Sequence, residues 1–144
     1  METDSISGHL ILFMAPSGSG KGSLERELFK VYPEIVFPVS CTTRPPRPGE
    51  IEGKDYYFVS REDFETRVAR EEFVEWAEFG GHLYGTLKSE IETPLQEGKI
   101  VLNEIERQGV EQFIKIIPAQ HRTIIYIEAG EWEELKSGYS VELQ

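Results

Sequence analysis

Lys21 sits between Gly20 and Gly22 at the close of the run Ala15-Pro16-Ser17-Gly18-Ser19-Gly20-Lys21-Gly22-Ser23. The chemistry this suits is anion binding. Glycines let successive backbone N–H groups point into one concavity, a following helix N-terminus adds its positive dipole end, and a mobile lysine reaches the outer phosphates of a nucleotide. The apolar run Leu10 to Met14 precedes the loop and a helix-patterned segment follows it, which is the context such a cradle requires. Against the strict pattern of Gly, four residues, Gly-Lys-Ser/Thr, Ala15 replaces the first glycine and Gly22 the hydroxyl residue. Ser23 is therefore expected to supply the hydroxyl on the magnesium side.

A second cationic cluster lies in Thr42-Thr43-Arg44-Pro45-Pro46-Arg47-Pro48-Gly49. Its prolines fix φ and remove donors, so the segment must be an ordered loop. Arg44 and Arg47 are thus pre-oriented forks, suited to a phosphate monoester. Tyr56 and Tyr84 can donate phenol hydroxyls to the same group. Glu75, between Val74 and Trp76, is placed by alternation on the face opposite those apolar neighbours, where it can accept two donors from guanine. Ser40 and Thr86 can donate to the guanine acceptors O6 and N7. Glu104 follows the apolar strand Ile100-Val101-Leu102, at the end where ligands collect in open α/β sheets, and suits the water-mediated holding of magnesium. Glu106, two residues on, shares its face if the strand persists.

The elements that must position these residues follow from periodicity. Strands are expected at 9–14, 36–41, 56–59, 73–79, 82–84, 100–102 and 123–128. Helices are expected at 22–31, with Leu24, Leu28 and Val31 on one face, at 61–70 with Ser60 as N-cap, and at 88–96, 109–116 and 131–136. Alternation of strand and helix at both ends implies an α/β fold with a parallel sheet, while strands clustered between about 38 and 87 imply an inserted lobe.

With 144 residues and one cysteine, the chain is expected to be one domain without an internal disulfide. Its formal net charge of −11 speaks against nucleic acid as a partner, since duplex binding needs several phosphates neutralised. No stretch has the length and apolarity of a membrane span, and a cytoplasmic protein is expected. His9, His82 and His121 lack metal-ligand spacing, and Cys41 has no histidine near it in sequence to make it a nucleophile.

Taken together, Ser17-Gly18-Ser19-Gly20-Lys21, Val39-Ser40-Cys41-Thr42-Thr43-Arg44-Pro45-Pro46-Arg47-Pro48-Gly49-Glu50, Phe73-Val74-Glu75-Trp76-Ala77 and Tyr84-Gly85-Thr86 resemble the guanylate kinase family in order and spacing from about 9 to 135. The resemblance implies a P-loop parallel sheet core (7–37 and 96–137) with helices on both faces and an inserted mixed α/β GMP-binding lobe (about 38–95). It implies transfer of the ATP γ-phosphate to GMP, giving ADP and GDP, with Mg2+ accompanying ATP. Residues 15–23 would bind ATP, with Ser23 and Glu104 on the metal side. Arg44, Arg47, Tyr56 and Tyr84 would hold the GMP phosphate, and Ser40, Glu75, Thr86 and Glu106 would read guanine. Lys21, Arg44 and Arg47 would be catalytic. Asp is usual where Glu104 and Glu106 stand, and Arg107 replaces an apolar residue. Family members continue into an arginine-rich lid, whereas no arginine follows Arg122 here, so the lid is expected to be absent or altered and turnover slow. The alternative is a weakly active or inactive binding module for nucleotide or phosphopeptide. Such modules typically lose the phosphate loop, which this chain retains.

Overall fold

The computed structural model describes residues 5–14, 21–128 and 140–143. The chain divides into two compact units, residues 1–37 with 94–144 and residues 38–93.

In the first unit, β1 (His9–Met14) is central to a sheet of order β6-β1-β7-β8, with β6 at Ile100–Glu104, β7 at Arg122–Glu128 and β8 at Ser140–Leu143. β1 runs parallel to both β6 and β7, with Leu10 opposite Val101 and Leu12 opposite Ile124. A strand with parallel neighbours on both sides is covered on both faces, which explains its uninterrupted apolar sequence. Leu10 and Leu12 are fully buried, while Phe13 packs with Ile35 and Leu102 against Leu28 of α1 (Lys21–Val31). Val31, expected on the same helix face, is instead 67% exposed in the last position of α1.

The strand expected at 36–41 is two separate pieces. Val36 bridges Val101 of β6, while Cys41–Thr42 form β2 in the other unit. Pro38 lies between them where the chain passes from one unit to the next, and its missing N–H cannot continue a ladder. β8, antiparallel to β7, is an element that periodicity did not reveal. The helix expected at 131–136 lies outside the described residues.

The second unit carries a sheet of order β3-β2-β5-β4, with β3 at Tyr57–Phe58, β4 at Phe73–Phe79 and β5 at His82–Leu87. β4 and β5 form a hairpin whose two-residue turn, Gly80-Gly81, has positive φ at both positions, matching the twist of the flanking strands. Helix α2 (Arg61–Ala69) is capped as expected, the Ser60 hydroxyl accepting from the Asp63 N–H at 3.0 Å. Its Phe64 is fully buried and stacks on Phe73 with centroids 4.4 Å apart. Cys41, Leu83 and Leu87 complete that core. Burial pushes the Cys41 thiol up to about 11, so it stays protonated and inert as a nucleophile. Glu90, in helix α3 (Lys88–Gln96), accepts from the Tyr57 hydroxyl at 2.7 Å and from the Val39 N–H at 3.1 Å. The hydrogen bond to Glu90 holds the Tyr57 phenol at about 12.

Gly85 of β5 shows how tightly this sheet is built. A Cβ there would lie 2.8 Å from the Phe73 ring and 3.0 Å from Cβ of Trp76, and the Phe73 ring is pinned by Phe64. Gly85→Ala is therefore expected to destabilise the protein by about 1–3 kcal/mol in urea unfolding.

Candidate functional site

Register decides which side chains of the second unit share a face. Cys41 pairs with Gly85, and Gly85 with Trp76; this row joins Leu83 and Leu87 on the side covered by α2. The opposite side carries Thr86 beside Glu75 on β4 and, by the same register, beside Ser40, which immediately precedes β2. The next row on that side holds Thr42, Tyr84 and Ala77. A bulge between Phe73 and Glu75 makes this possible. Its extra residue lets Phe73 and Val74 both be buried, and puts Glu75 on the face opposite Phe73.

Glu75 and Thr86 are joined directly, the buried Thr86 hydroxyl donating to Glu75 Oε1 at 2.7 Å. Ser40 is partly buried and its carbonyl accepts from the Tyr57 N–H at 2.9 Å.

The arginine loop leaves β2 through its two threonines. Thr42 is fully buried, donates to the Leu83 carbonyl at 3.0 Å and accepts from the Arg44 N–H at 3.1 Å. Thr43 accepts from the Leu83 N–H at 2.9 Å. Arg44 is buried, and both ends of its fork donate to Glu50, Nη1 to Oε1 at 2.7 Å and Nη2 to Oε2 at 2.9 Å. Nη1 also donates to the Pro45 carbonyl at 3.0 Å. Arg47-Pro48-Gly49-Glu50 is a turn in which Gly49 has φ +88 and the Glu50 N–H donates to the Arg47 carbonyl at 3.0 Å. Proline then glycine in its two central places is the chemistry of a type II turn. Glu50 Oε1 closes the loop by accepting from the Arg47 N–H at 2.7 Å.

The Arg44 hydrogen bond, followed by the Arg47 N–H, holds the Glu50 carboxyl down to about 2. Glu50 in turn raises Arg44 above its ordinary range, with the hydroxyls of Tyr84 and Tyr56 adding to the effect against burial. A carboxyl lowered by folding contributes stability above its ordinary titration range, and that contribution is lost as pH falls toward the folded value. The fork is thus fully ionised near neutrality.

Around Arg44 stand the aromatics. Its guanidinium carbon lies 5.3 Å from the centroid of Tyr56, whose ring meets that of Tyr84 edge-on at 6.1 Å. Phe79 meets Tyr84 in the same manner at 6.4 Å. The Arg47 side chain is exposed. Buried arginine, two phenols and a second, exposed arginine can together hold a phosphate monoester, beside a carboxylate–hydroxyl pair able to read a base edge.

Arg44, Tyr56 and Tyr84 are thus brought together, as are Glu75 and Thr86. In the sequence Glu50 is visible only as the end of the arginine motif. The Pro48-Gly49 turn signals that Arg47 and Glu50 approach each other, and no sequence periodicity reports the fork to Arg44.

In the first unit, β1 ends at Met14 and α1 begins at Lys21, with loop residues 15–20 outside the described residues. Lys21, Gly22 and Ser23 form the first turn of α1. Glu104 ends β6 opposite Phe13, at the carboxyl end of the strand beside the one feeding that loop, and is exposed. The Ile105 N–H donates to the Phe13 carbonyl at 3.0 Å, and Glu106 is extended, so the backbone stays strand-like through both acids. The exposed Glu106 accepts from Gln108 at 3.3 Å. Among the described residues no cluster of three His, Cys, Asp or Glu could hold a metal ion, and no helix is long and apolar enough to cross a membrane.

Comparison with known proteins matches residues 7–140 to the guanylate kinase family. The chain is similar to guanylate kinases of Nostoc sp. (46% identity, 92% of this chain, 65% of the relative) and Thermotoga maritima (44%, 91% and 62%). Guanylate kinase of Synechococcus sp. matches at 43% identity over 82% of this chain and 64% of the relative. The crystal structure of guanylate kinase from Anaplasma phagocytophilum superposes with TM-score 0.69 at 35% identity, covering 92% of this chain and 66% of that one. The chain spans a little under two thirds of the length of these relatives.

Proposed function

We propose, from the premise that this chain belongs to the guanylate kinase family, as its match over residues 7–140 shows, that it transfers the γ-phosphate of ATP to GMP to give ADP and GDP. The observation that carries this reading is the Arg44–Glu50 fork with Tyr56 and Tyr84, in the unit whose sheet also presents Glu75 and Thr86. Arg44, Arg47, Tyr56 and Tyr84 hold the GMP phosphate, while Glu75, Thr86 and Ser40 address guanine. Glu106 is the remaining candidate for the base. Residues 15–23 hold ATP, with Lys21 on its outer phosphates.

The acceptor phosphate carries nearly two charges at neutral pH, a monoester having a second pKa of about 6. One of its oxygens attacks the γ-phosphorus as the bond to the β,γ-bridging oxygen breaks, and no residue need act as general base. What the protein contributes is alignment and neutralisation of charge. Mg2+ with ATP supplies further neutralisation. The acids present fit it, since a single carboxylate such as Glu104, reached through water, with the Ser23 hydroxyl, is the sparse oxygen set this ion accepts beside phosphates. No arginine follows Arg122 in these 144 residues, and cationic contacts to the moving group can be worth about 10³–10⁵ in rate. Assayed as this polypeptide, turnover is therefore expected to be slow. We further place the protein in the cytoplasm, without a nucleic-acid or membrane partner.

Titration calorimetry tests the reading. Wild-type protein is expected to bind both GMP and magnesium-ATP, and Lys21→Ala to lose the ATP heat while keeping that of GMP. A folded protein silent to both nucleotides would overturn the proposal; binding of a phosphopeptide alone would favour the binding-module alternative.

A further inference from the structure

We propose that Glu50 is a positioning residue that dictates which edge of Arg44 meets the acceptor phosphate. The inference rests on the reading of Arg44 as a holder of that phosphate. A guanidinium has five N–H donors in a rigid plane, two on each Nη and one on Nε. Glu50 takes one from Nη1 and one from Nη2, the end-on fork, and the Pro45 carbonyl takes the second from Nη1. The two donors that these partners leave, Nε–H and the outer Nη2–H, lie side by side on one edge. They form the side-on fork, whose spacing also matches two oxygens of one phosphate.

Glu50 itself is fixed. Its Oε1 accepts from the Arg47 N–H at 2.7 Å, and its own N–H closes the turn on the Arg47 carbonyl at 3.0 Å. The main chain of Arg44 is held by its backbone N–H bond to the buried Thr42 hydroxyl, and its guanidinium carbon lies over the Tyr56 ring, 5.3 Å from the centroid. The guanidinium is thereby denied rotation about its long side chain, and presents its remaining edge without paying rotamer entropy on binding. The hydroxyls of Tyr84 and Tyr56, which also interact with this guanidinium, are each both donor and acceptor. With the side-on edge of Arg44 turned to the phosphate, they can donate their own O–H to that same phosphate.

The function assigned to Glu50 concerns phosphate and not guanine, which separates it from a merely structural role. Glu50→Gln keeps the size and one acceptor but puts an amide N–H2 against Nη2. By calorimetry it is expected to weaken GMP binding by about ten- to a hundredfold while leaving guanosine affinity unchanged. GMP affinity within twofold of wild type, or an equal loss for guanosine, would overturn the proposal. A measurement on the unmutated protein stands beside it. On GMP addition the Arg44 Nε–H resonance is expected to move and to become protected from exchange, and guanosine is expected to do neither. If GMP shifts only Nη groups, the edge assignment is wrong. Failure of the underlying reading looks different: wild-type protein would bind GMP no more tightly than guanosine.

Discussion

Arg44→Ala is expected to lower kcat/KM for GMP by about 10²–10³-fold, the scale on which removal of one preorganised donor to an anion is felt. The loss has two sources. The phosphate loses a bidentate partner held in place before it arrives, and Glu50 loses the cation that keeps its carboxyl near 2. Released, that carboxylate would stand as a like charge close to the phosphate. Arg44→Lys is expected to fail almost as badly, since an ammonium cannot satisfy both Glu50 oxygens and still offer a planar edge. Arg47→Ala should cost much less, because its side chain is exposed and its structural contact is made through the backbone N–H. Steady-state kinetics over GMP concentration for the three variants checks the ranking. Equal losses at both positions would show that burial of Arg44 counts for nothing.

Glu75→Gln is expected to lower GMP affinity by about 10²-fold and to reduce discrimination between GMP and AMP. The amide oxygen can still accept from the Thr86 hydroxyl, now made at 2.7 Å. Its N–H2 end would then face the N–H donors of guanine, donor against donor, leaving polar groups unpaired at a partly buried site. Competition binding of GMP and AMP on wild type and variant gives the ratio. A variant that keeps the full preference for GMP would remove Glu75 from base recognition.

Much of the α/β fold was legible because its signals are local. A run such as Leu10 to Met14 is apolar throughout because side chains from both faces of β1 are buried, as in a central strand of a parallel sheet, and Ser60 caps α2 through a bond made three residues away. What escaped depends on distant partners. The strand expected over 36–41 is apolar enough, but Pro38 and the passage between units divide it. β8 gains its identity from the backbone of β7. In the site, Arg44 and Arg47 announce themselves through the prolines around them. Alternation alone put Glu75 opposite Trp76, although the bulge that lets Phe73 and Val74 both turn inward is set by tertiary packing. Glu50 was the least visible, as its partner stands six residues away across a turn.

The bond from Val39 N–H to Glu90 has a meaning for how such a protein can change. Val39 follows the point where the chain enters residues 38–93, and Glu90 precedes the point where it leaves. Doorway and exit are thus fastened to each other from inside, so the segment is a cassette with adjoining ends, the arrangement under which one domain tolerates insertion into another. Substitutions can accumulate within this cassette while the half that carries residues 15–23 stays as it is.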